Sequence, residues 1–427
     1  PMRLLSFIAT MLTAVLIFYI GRRESGDWAV SLVGAALFLA GYRITGGWYE
    51  VARVDPLYNF LMMAGIACAI YGRKSHRLAG LAGLLLALSF LTKQNGLFAA
   101  AVTEGYLFLV SPEDTLWFGL AFTLTAVPPV LFLLLTTNGW FTHYVVDVAY
   151  ASPIDRSRIF DTVRIQLFGT MLIPWLAYLL AGITAVFKEK WRVIQNQPWL
   201  LFIGMALFIS ISGRASVGGA LNNLIPAWAF LCLAPALLAG IIAKLPNAQT
   251  DYSRRLLASR TAWQYSPLYL ALIFQFSLTL GTPLALLKGE LRPGIYRPTE
   301  AMKTAGDDFV ERLEGIDGPV WVMMHPYYAL LTGQEEPGVH IQSLWHARLR
   351  GETPLPDDLV GRIQSHYYAA IVSDNSGDFE RDPPLEALLN ACYRPASTLT
   401  AADAPITITG VPLRPQVIYV PKIGECR

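Results

Sequence analysis

The chain has 427 residues, of which 54% are hydrophobic and 15% are charged. Soluble domains carry about 25% charged residues, so this composition excludes a chain built only of soluble domains. The charge is divided unevenly: residues 1–289 carry 12 acidic and 21 basic side chains, and residues 290–427 carry 19 acidic and 12 basic ones. The basic residues form short clusters between apolar runs, a pattern that excludes a nucleic-acid-binding surface.

Ten apolar segments in the first 289 residues have, or nearly have, the length of about 20 residues that a helix needs to cross a bilayer. Backbone in lipid must satisfy its own hydrogen bonds, so these segments are predicted to be helices. They cover residues 3–20, 28–45, 57–72, 77–92, 96–110, 116–136, 166–187, 199–213, 224–243 and 267–287. The sequence therefore predicts a polytopic α-helical membrane domain of about ten spans over 1–289, followed by a small α/β domain over 290–427.

Basic clusters predict which way the spans run. Arg22-Arg23, residues 73–77, residues 188–192 and residues 254–260 fall in alternate loops. Loops rich in Lys and Arg stay in the cytoplasm. We therefore expect both termini and the α/β domain to lie on the extracytoplasmic side.

A polar segment, residues 46–56, interrupts the apolar runs on the extracytoplasmic side. Charged groups next to a membrane-embedded bundle are costly and often functional. The spacing of Glu50, Arg53 and Asp55 predicts that one helical turn or a short loop directs all three into a common cavity. An interfacial ion pair between Arg53 and Asp55 that ends a helix is the alternative.

Further polar side chains are predicted on the same side of the membrane. Lys93 is either a site residue or a lysine whose ammonium snorkels to the headgroups. Arg214 lies beside a Gly-Gly pair and Asn222-Asn223, where unwound backbone can line a cavity; a helix cap that contacts headgroups is the alternative. Residues 137–165 are predicted to form a long loop able to cover such a cavity.

The C-terminal region changes to alternating helix and strand periodicity. We predict an amphipathic helix over 300–313 with Ala301, Ala305, Phe309 and Leu313 on one face, and a second helix over 357–365. Strands are predicted over 320–324, 369–373, 405–410 and 416–420. Cys392 and Cys426 both lie in this region, and an oxidising compartment favours a disulfide between them, with two free thiols as the alternative.

Several of these segments together resemble the bacterial GT-C class of membrane glycosyltransferases, which use polyprenyl-phosphate-linked sugars. The resemblance rests on Ala52–Asp55 after the Trp48-Tyr49 pair, on Ala87–Gln94, and on three further segments. These are Thr137–His143, Gly213–Pro226 and His325–Gly333 with the following His340. It covers nearly the whole chain, and the order of the short motifs contributes most of it.

The resemblance implies a transferase of the bacterial inner membrane that moves a sugar from a polyprenyl-phosphate donor to a lipid, glycan or protein acceptor. Asp55 becomes a supporting carboxylate that orients the acceptor or holds a divalent metal, Mg²⁺ or Mn²⁺. The candidate phosphate-binding groups are Arg53, Lys93 and Arg214. The set of catalytic and substrate-binding residues is completed by Glu50, Trp48, Tyr49, His143 and Asn223.

Two alternatives stay open. The aromatic residues Trp48, Tyr49, Trp140 and Tyr144 either stack on a sugar or belong to the interfacial aromatic belt. The family's principal catalytic carboxylate lies in a first extracytoplasmic loop, and because this chain starts directly in a span, we expect an upstream span and that loop to be missing. A transporter or flippase for a lipid-linked glycan, or a non-catalytic subunit that binds one, is the alternative function.

Overall fold

The structure is a computed structural model, and it describes residues 2–151, 154–216, 219–244, 266–280, 298–336, 338–348, 353–374, 382–407, 413–424 and 426. The chain forms two compact units. The first contains Pro1–Leu133 and Ile154–Leu291, and the second contains Leu134–Pro153 and Arg292–Arg427. The segment Leu134–Pro153 thus groups with the C-terminal residues, although the sequence-based division at 289/290 assigned it to the membrane domain.

Helices build the described part of the first unit. The first helices in the chain are α1 (Met2–Ser25), α2 (Trp28–Ala40), α3 (Val54–Tyr71), α4 (His76–Thr92), α5 (Gly96–Val110) and α6 (Pro112–Thr136). The chain continues through α7 (Trp140–Thr142), a π-helix (His143–Asp147), α8 (Val148–Tyr150), α9 (Arg156–Asp161) and a second π-helix (Thr162–Thr170). The later helices of the first unit are α10 (Leu172–Glu189), α11 (Val193–Asn196), α12 (Pro198–Ala215), α13 (Ile225–Leu231), α14 (Ala234–Ala243) and α15 (Ser266–Leu280). This unit also has 3₁₀ turns at Lys190–Arg192 and Leu221–Leu224.

Six helical segments of the described chain are long and apolar enough to cross a membrane. They are Met2–Ser25, Val54–Tyr71, Pro112–Thr136, Leu172–Glu189, Pro198–Ala215 and Leu221–Ala243. Four shorter apolar helices, Trp28–Ala40, His76–Thr92, Gly96–Val110 and Leu270–Thr279, overlap the other predicted spans. An 18-residue helix is about 27 Å long, close to the thickness of the hydrocarbon core. The membrane class follows from these lengths, whereas the number of ten spans stays a prediction.

Small residues allow the helices of the first unit to approach closely. A Cβ added at Gly34 on α2 would lie 2.7 Å from the carbonyl oxygen of Cys232, and one added at Gly83 on α4 would lie 2.3 Å from that of Phe118. Glycine at such points lets the backbones of two apolar helices approach closely. Close packing of this kind is what holds helices together in lipid, because lipid offers no hydrophobic force between them. The buried core around these contacts includes Trp199, Trp228 and Phe202.

The segment 137–165 differs from the predicted loop. It is helical over most of its described length, through α7, α8, α9 and the first π-helix. Gly139 starts this run with φ +88°, a backbone conformation that favours glycine. α7, the first π-helix and α8 follow one another without a break, and the polar residues Thr142, His143 and Asp147 among them interrupt the apolar pattern by which a span is predicted.

A four-stranded sheet organises the second unit. Its strands are β1 (Val320–Val322), β2 (Ala370–Asp374), β3 (Tyr393–Thr398) and β4 (Pro415–Pro421), in the order β1-β2-β4-β3. β1 and β2 run parallel, and the other two pairs are antiparallel. The helices of this region are α16 (Glu300–Glu314), α17 (Tyr327–Leu331), α18 (Ile341–Ala347), α19 (Asp357–Gln364) and α20 (Pro383–Cys392).

Most of the predicted elements of this region are confirmed. α16 buries Ala305, Phe309 and Leu313 as the periodicity predicts, whereas Ala301, in the first turn of the helix, is exposed. β1, α19, β2 and β4 lie at the predicted places. The predicted strand over 405–410 is different: residues 405–407 form no strand, and residues 408–410 lie outside the described residues. β3 was missed because it is an edge strand with an internal Pro395 at a register shift, and five of its six residues are exposed.

Cys392 and Cys426 form a disulfide, in agreement with the first of the two alternatives. Their Cα atoms are 4.7 Å apart, which is within the range that a disulfide spans. The bond joins the end of α20 to the residues after β4. Cys68 and Cys232 are free thiols in the helices of the first unit.

Candidate functional site

Asp55 is the centre of a polar cluster in the first unit. It lies in the first turn of α3, directly before Pro56, and only 2% of its surface is exposed. A carboxylate in the first turn interacts favourably with the positive end of the helix dipole, and proline is well tolerated there. The backbone of the helix start therefore helps to hold a negative charge in a buried position.

Two side chains from distant parts of the chain donate to the same oxygen of Asp55. Lys93 Nζ lies 2.7 Å from Asp55 Oδ1, and Asn222 Nδ2 lies 3.0 Å from it. Arg53 Nε lies 3.7 Å from the second oxygen, Oδ2. The bond from Lys93 to Asp55 is short and charge-assisted, and such hydrogen bonds are the stronger ones in proteins. The structure thus brings three predicted site residues, Arg53, Asp55 and Lys93, into one cluster.

Lys93 is directed into this cluster by the end of α4. It is the residue that follows the helix, with extended backbone, and its side chain is 19% exposed. Its ammonium also donates to Asn223 Oδ1 at 3.1 Å and lies 5.7 Å from the centre of the Tyr58 ring. These contacts place the ammonium against protein groups, which argues against a lysine that only reaches toward headgroups.

Asn222 and Asn223 occupy a 3₁₀ turn, Leu221–Leu224, that interrupts the apolar run before α13. Asn223 Nδ2 donates to the carbonyl of Gly213 at 3.2 Å, which ties this turn to the end of α12. Broken helices of this kind occur in membrane proteins where backbone lines a cavity or is buried in protein. Asn223 was predicted as a site residue. Asn222 was not, although the Asn-Asn pair in an apolar run is a signal for both.

Arg214 shares its environment with a second arginine that sequence reasoning missed. Arg214 Nη1 donates to the carbonyl of Gly219, and Arg158 Nη1 lies 3.3 Å from the same oxygen. Arg158 Nε also lies 3.4 Å from Asp155 Oδ2. Among the described residues, Arg214 Nε is buried without a hydrogen-bond partner. Two guanidinium groups on one carbonyl form a cationic site, which we call the arginine pair.

Three predicted residues near Asp55 have other contacts. Glu50 Oε1 accepts a hydrogen bond from Tyr42 at 2.7 Å. Tyr49 is 5% exposed and donates its hydroxyl to the carbonyl of Phe38, on whose ring it stacks. Tyr49 therefore packs in the core, and we assign it no substrate contact. Trp48 lies under the guanidinium of Arg53, with 4.7 Å between Cζ and the ring centre.

His143 belongs to the second unit, in the first π-helix. Its Nδ1 lies 3.8 Å from Asp147 Oδ2, one helical turn away. Trp140 and Tyr144 in the same segment stack on each other with their ring centres 5.9 Å apart. The contacts around Asp55 in the first unit come from other residues, so the cluster described above stands without His143.

The residues around Asp55 do not fit a divalent metal. Lys93 Nζ is 2.7 Å from Oδ1, the distance of a direct hydrogen bond, so a cation already neutralises this oxygen. Mg²⁺ and Mn²⁺ prefer several oxygen ligands. In the described part of the chain, no group of three or more His, Cys, Asp or Glu side chains is arranged to hold a metal. We derive no step through a metal at Asp55.

Below Asp55, the same face of α3 carries further buried polar groups. The Tyr58 hydroxyl, both amide atoms of Asn59 and Asp55 Oδ2 have no hydrogen-bond partner within the described chain. Asp55, Tyr58 and Asn59 are three and four residues apart, so they share one face of the helix. Buried polar atoms are nearly always satisfied in proteins, so this face has capacity for a polar ligand or water.

The second unit contains a separate buried pair at the carboxyl ends of its two parallel strands. His325 follows β1 and Asp374 ends β2, with 3.5 Å between His325 Nε2 and Asp374 Oδ2. Burial, together with the neighbouring His340, lowers the pKa of His325 from its ordinary value to about 4. The C-terminal region contains four histidines, and the structure singles out His325 because the parallel register of β1 and β2 aligns the two strand ends.

No protein-family model, curated protein or solved structure matches the chain. The resemblance to GT-C glycosyltransferases therefore stays a prediction, and the function is argued from the geometry.

Proposed function

We propose that this chain is a membrane glycosyltransferase that moves a sugar from a polyprenyl-phosphate donor to an acceptor on the extracytoplasmic side of a bacterial inner membrane. The observation that carries the proposal is the Asp55–Lys93 pair with Asn222 and Asn223, buried where three apolar helical segments end or break. Ionisable groups buried in apolar helices are costly and mark functional sites by default.

The two oxygens of Asp55 have different environments, which suggests different roles. Oδ1 is held by Lys93 and Asn222. Oδ2 lies 3.7 Å from Arg53 Nε and has no hydrogen-bond partner among the described residues. In the proposed reaction, Oδ2 accepts the hydrogen bond of the acceptor hydroxyl and orients it toward the sugar carbon. The acceptor oxygen bonds to that carbon as the bond from the carbon to the phosphate oxygen breaks, and the hydroxyl proton leaves with the polyprenyl phosphate. Lys93 fixes the carboxylate, because positioning of the reacting groups supplies a large share of catalysis.

Transfer from a lipid phosphate also needs cations that stabilise the departing phosphate. We assign this role to Arg214 and Arg158, because guanidinium groups bind phosphate oxygens in a bidentate manner. Asn223 links the two parts of the site, since it bonds both Lys93 and the carbonyl of Gly213, next to Arg214. The partners of the proposed enzyme are the polyprenyl-phosphate-linked sugar, the acceptor and membrane lipids.

Sugar transfer by the full chain in lipid nanodiscs tests the proposal. The probes are radiolabelled polyprenyl-phosphate hexoses and pentoses, supplied with membrane extract as the source of acceptor. We expect wild-type protein to transfer label, Asp55→Asn to lose at least about 100-fold of the rate, equivalent to about 2.7 kcal/mol, and Asp161→Asn, an exposed acid of the same unit, to retain it.

Wild-type rates in Asp55→Asn would contradict the placement of the site. Donor binding by the wild type without any transfer would instead favour the alternative of a flippase or a non-catalytic binding subunit. Measurement of donor binding beside transfer distinguishes these outcomes.

A further inference from the structure

A cavity of 590 Å³ opens in the second unit, whereas the Asp55 cluster and the arginine pair lie in the first. Its volume lies within the range of small-molecule sites, about 300–1,000 Å³. Its walls come from the first π-helix, from α18 and the stretch that leads into it, and from α19 and the residues around it. Its polar lining residues include Tyr144, Glu335, Glu336, Ser343, Asp358 and Arg362.

The charged groups of this cavity are accessible to a ligand. Glu336 Oε2 accepts from Arg362 Nη1 at 2.9 Å, and their side chains are 64% and 37% exposed. Glu335 and Asp358 are exposed as well. Three carboxylates face one guanidinium, which already has a carboxylate partner. This balance disfavours a phosphate or an anionic headgroup, and the guanidinium disfavours a simple cation.

The remaining walls suit a ligand with both polar and apolar faces. The Tyr144 ring is 46% exposed and held in place by stacking on Trp140. Leu344 and Leu359 form an apolar part of the lining. The Ser343 hydroxyl donates and accepts hydrogen bonds, carboxylates only accept, and a guanidinium only donates. A sugar ring presents hydroxyls around its rim and C–H groups on its faces, so these walls match it on both counts.

We propose that this cavity is a binding site for a short, uncharged glycan. Tyr144 contacts a face of one sugar ring, and the Glu336–Arg362 pair and Asp358 bind its hydroxyls. Binding does not depend on transfer. The use of the cavity for the acceptor of a sugar rests on the proposed function.

The full chain in lipid nanodiscs, applied to an array of neutral, cationic and anionic oligosaccharides, tests this site. We expect retention of at least one neutral oligosaccharide. Tyr144→Ala and the isosteric Asp358→Asn are expected to weaken that retention by about tenfold or more. The matched controls Tyr150→Ala, an exposed tyrosine of the same segment, and Asp307→Asn, an exposed acid on α16, are expected to stay within about twofold of wild type.

Three results would overturn the proposal: no neutral glycan retained, retention confined to charged glycans, or equal retention by wild type, Tyr144→Ala and Asp358→Asn. Thermal unfolding checks that each variant is folded. If Tyr144→Ala does not fold, Asp358→Asn still tests the site. The variant Asp55→Asn separates this inference from the transferase proposal, because Asp55 lies in the first unit and the cavity lies in the second. This variant should lose sugar transfer and keep glycan retention.

Discussion

Lys93 Nζ lies 2.7 Å from Asp55 Oδ1 and joins the end of α4 to the first turn of α3. The side chain of Asp55 is 3% exposed and that of Lys93 is 19% exposed. A buried ion pair of this kind contributes little net stability compared with apolar residues, but the loss of one partner leaves an uncompensated charge. The site is therefore sensitive to the loss of either partner.

We predict that Lys93→Met destabilises the protein by about 3–5 kcal/mol, because Asp55 stays buried without its ammonium partner. The double variant Asp55→Asn/Lys93→Met should recover at least about 1 kcal/mol of that loss, because no charge is left unpaired. Thermal unfolding in nanodiscs, with both single variants measured alongside, gives the coupling. Purely additive effects would show that the two groups do not interact.

The arginine pair predicts a specific kinetic effect. Arg158→Gln and Arg214→Gln should each raise the KM for the polyprenyl-phosphate donor about tenfold or more, because each removes one cation from the proposed phosphate site. Arg156→Gln, an exposed arginine two residues from Arg158, is the control and should leave KM unchanged. An unchanged donor KM in both site variants would remove the arginine pair from the proposed mechanism.

The burial of His325 predicts a loss of stability of the second unit in mild acid. The pKa of His325 in the folded protein is about 4, below the ordinary value of about 6.5. As the pH falls below about 6.5, the unfolded state takes up the proton first. Stability that is fully present above this pH is therefore lost progressively down to about pH 4, by about 3 kcal/mol.

Hydrogen exchange of the backbone amides of β1 and β2 measures this effect in the full chain. Protection, corrected for the intrinsic exchange rate, should fall between pH 7 and pH 5. In His325→Gln this change should be smaller, whereas His346→Gln should behave as wild type. Equal pH dependence in wild type and His325→Gln would assign the effect to other groups.

The disulfide predicts a stability difference confined to the second unit. Cys392 and Cys426 are separated by 34 residues, and closure of a loop of this size stabilises a fold by about 3–4 kcal/mol in the chain-entropy description. Cys392→Ser should therefore lower the protection of β3 and β4, while Cys68→Ala, in the first unit, should not. Non-reducing peptide mapping of the wild type checks the bond itself, and two free thiols would contradict it.

The sequence by itself determined the membrane class, the α/β character of the C-terminal residues and the polar residues that interrupt apolar runs. Hydropathy and periodicity are local properties, so α16, β1, β2 and β4 and the unusual positions of Asp55, Lys93 and Arg214 are readable without a fold. The edge strand β3, which contains a proline, was not predicted, because its exposed residues show no alternation of apolar and polar side chains.

Only the tertiary structure decided which of these residues meet. Asn222 is 167 residues from Asp55, and Lys93 is 38 residues away. Arg158 contacts the same carbonyl as Arg214, although the sequence around Arg158 resembles an ordinary polar turn. Tyr49, which was predicted as a site residue, packs in the core. These outcomes depend on how helices pack against one another, and helix packing is set by close contacts between distant residues, which no local pattern contains.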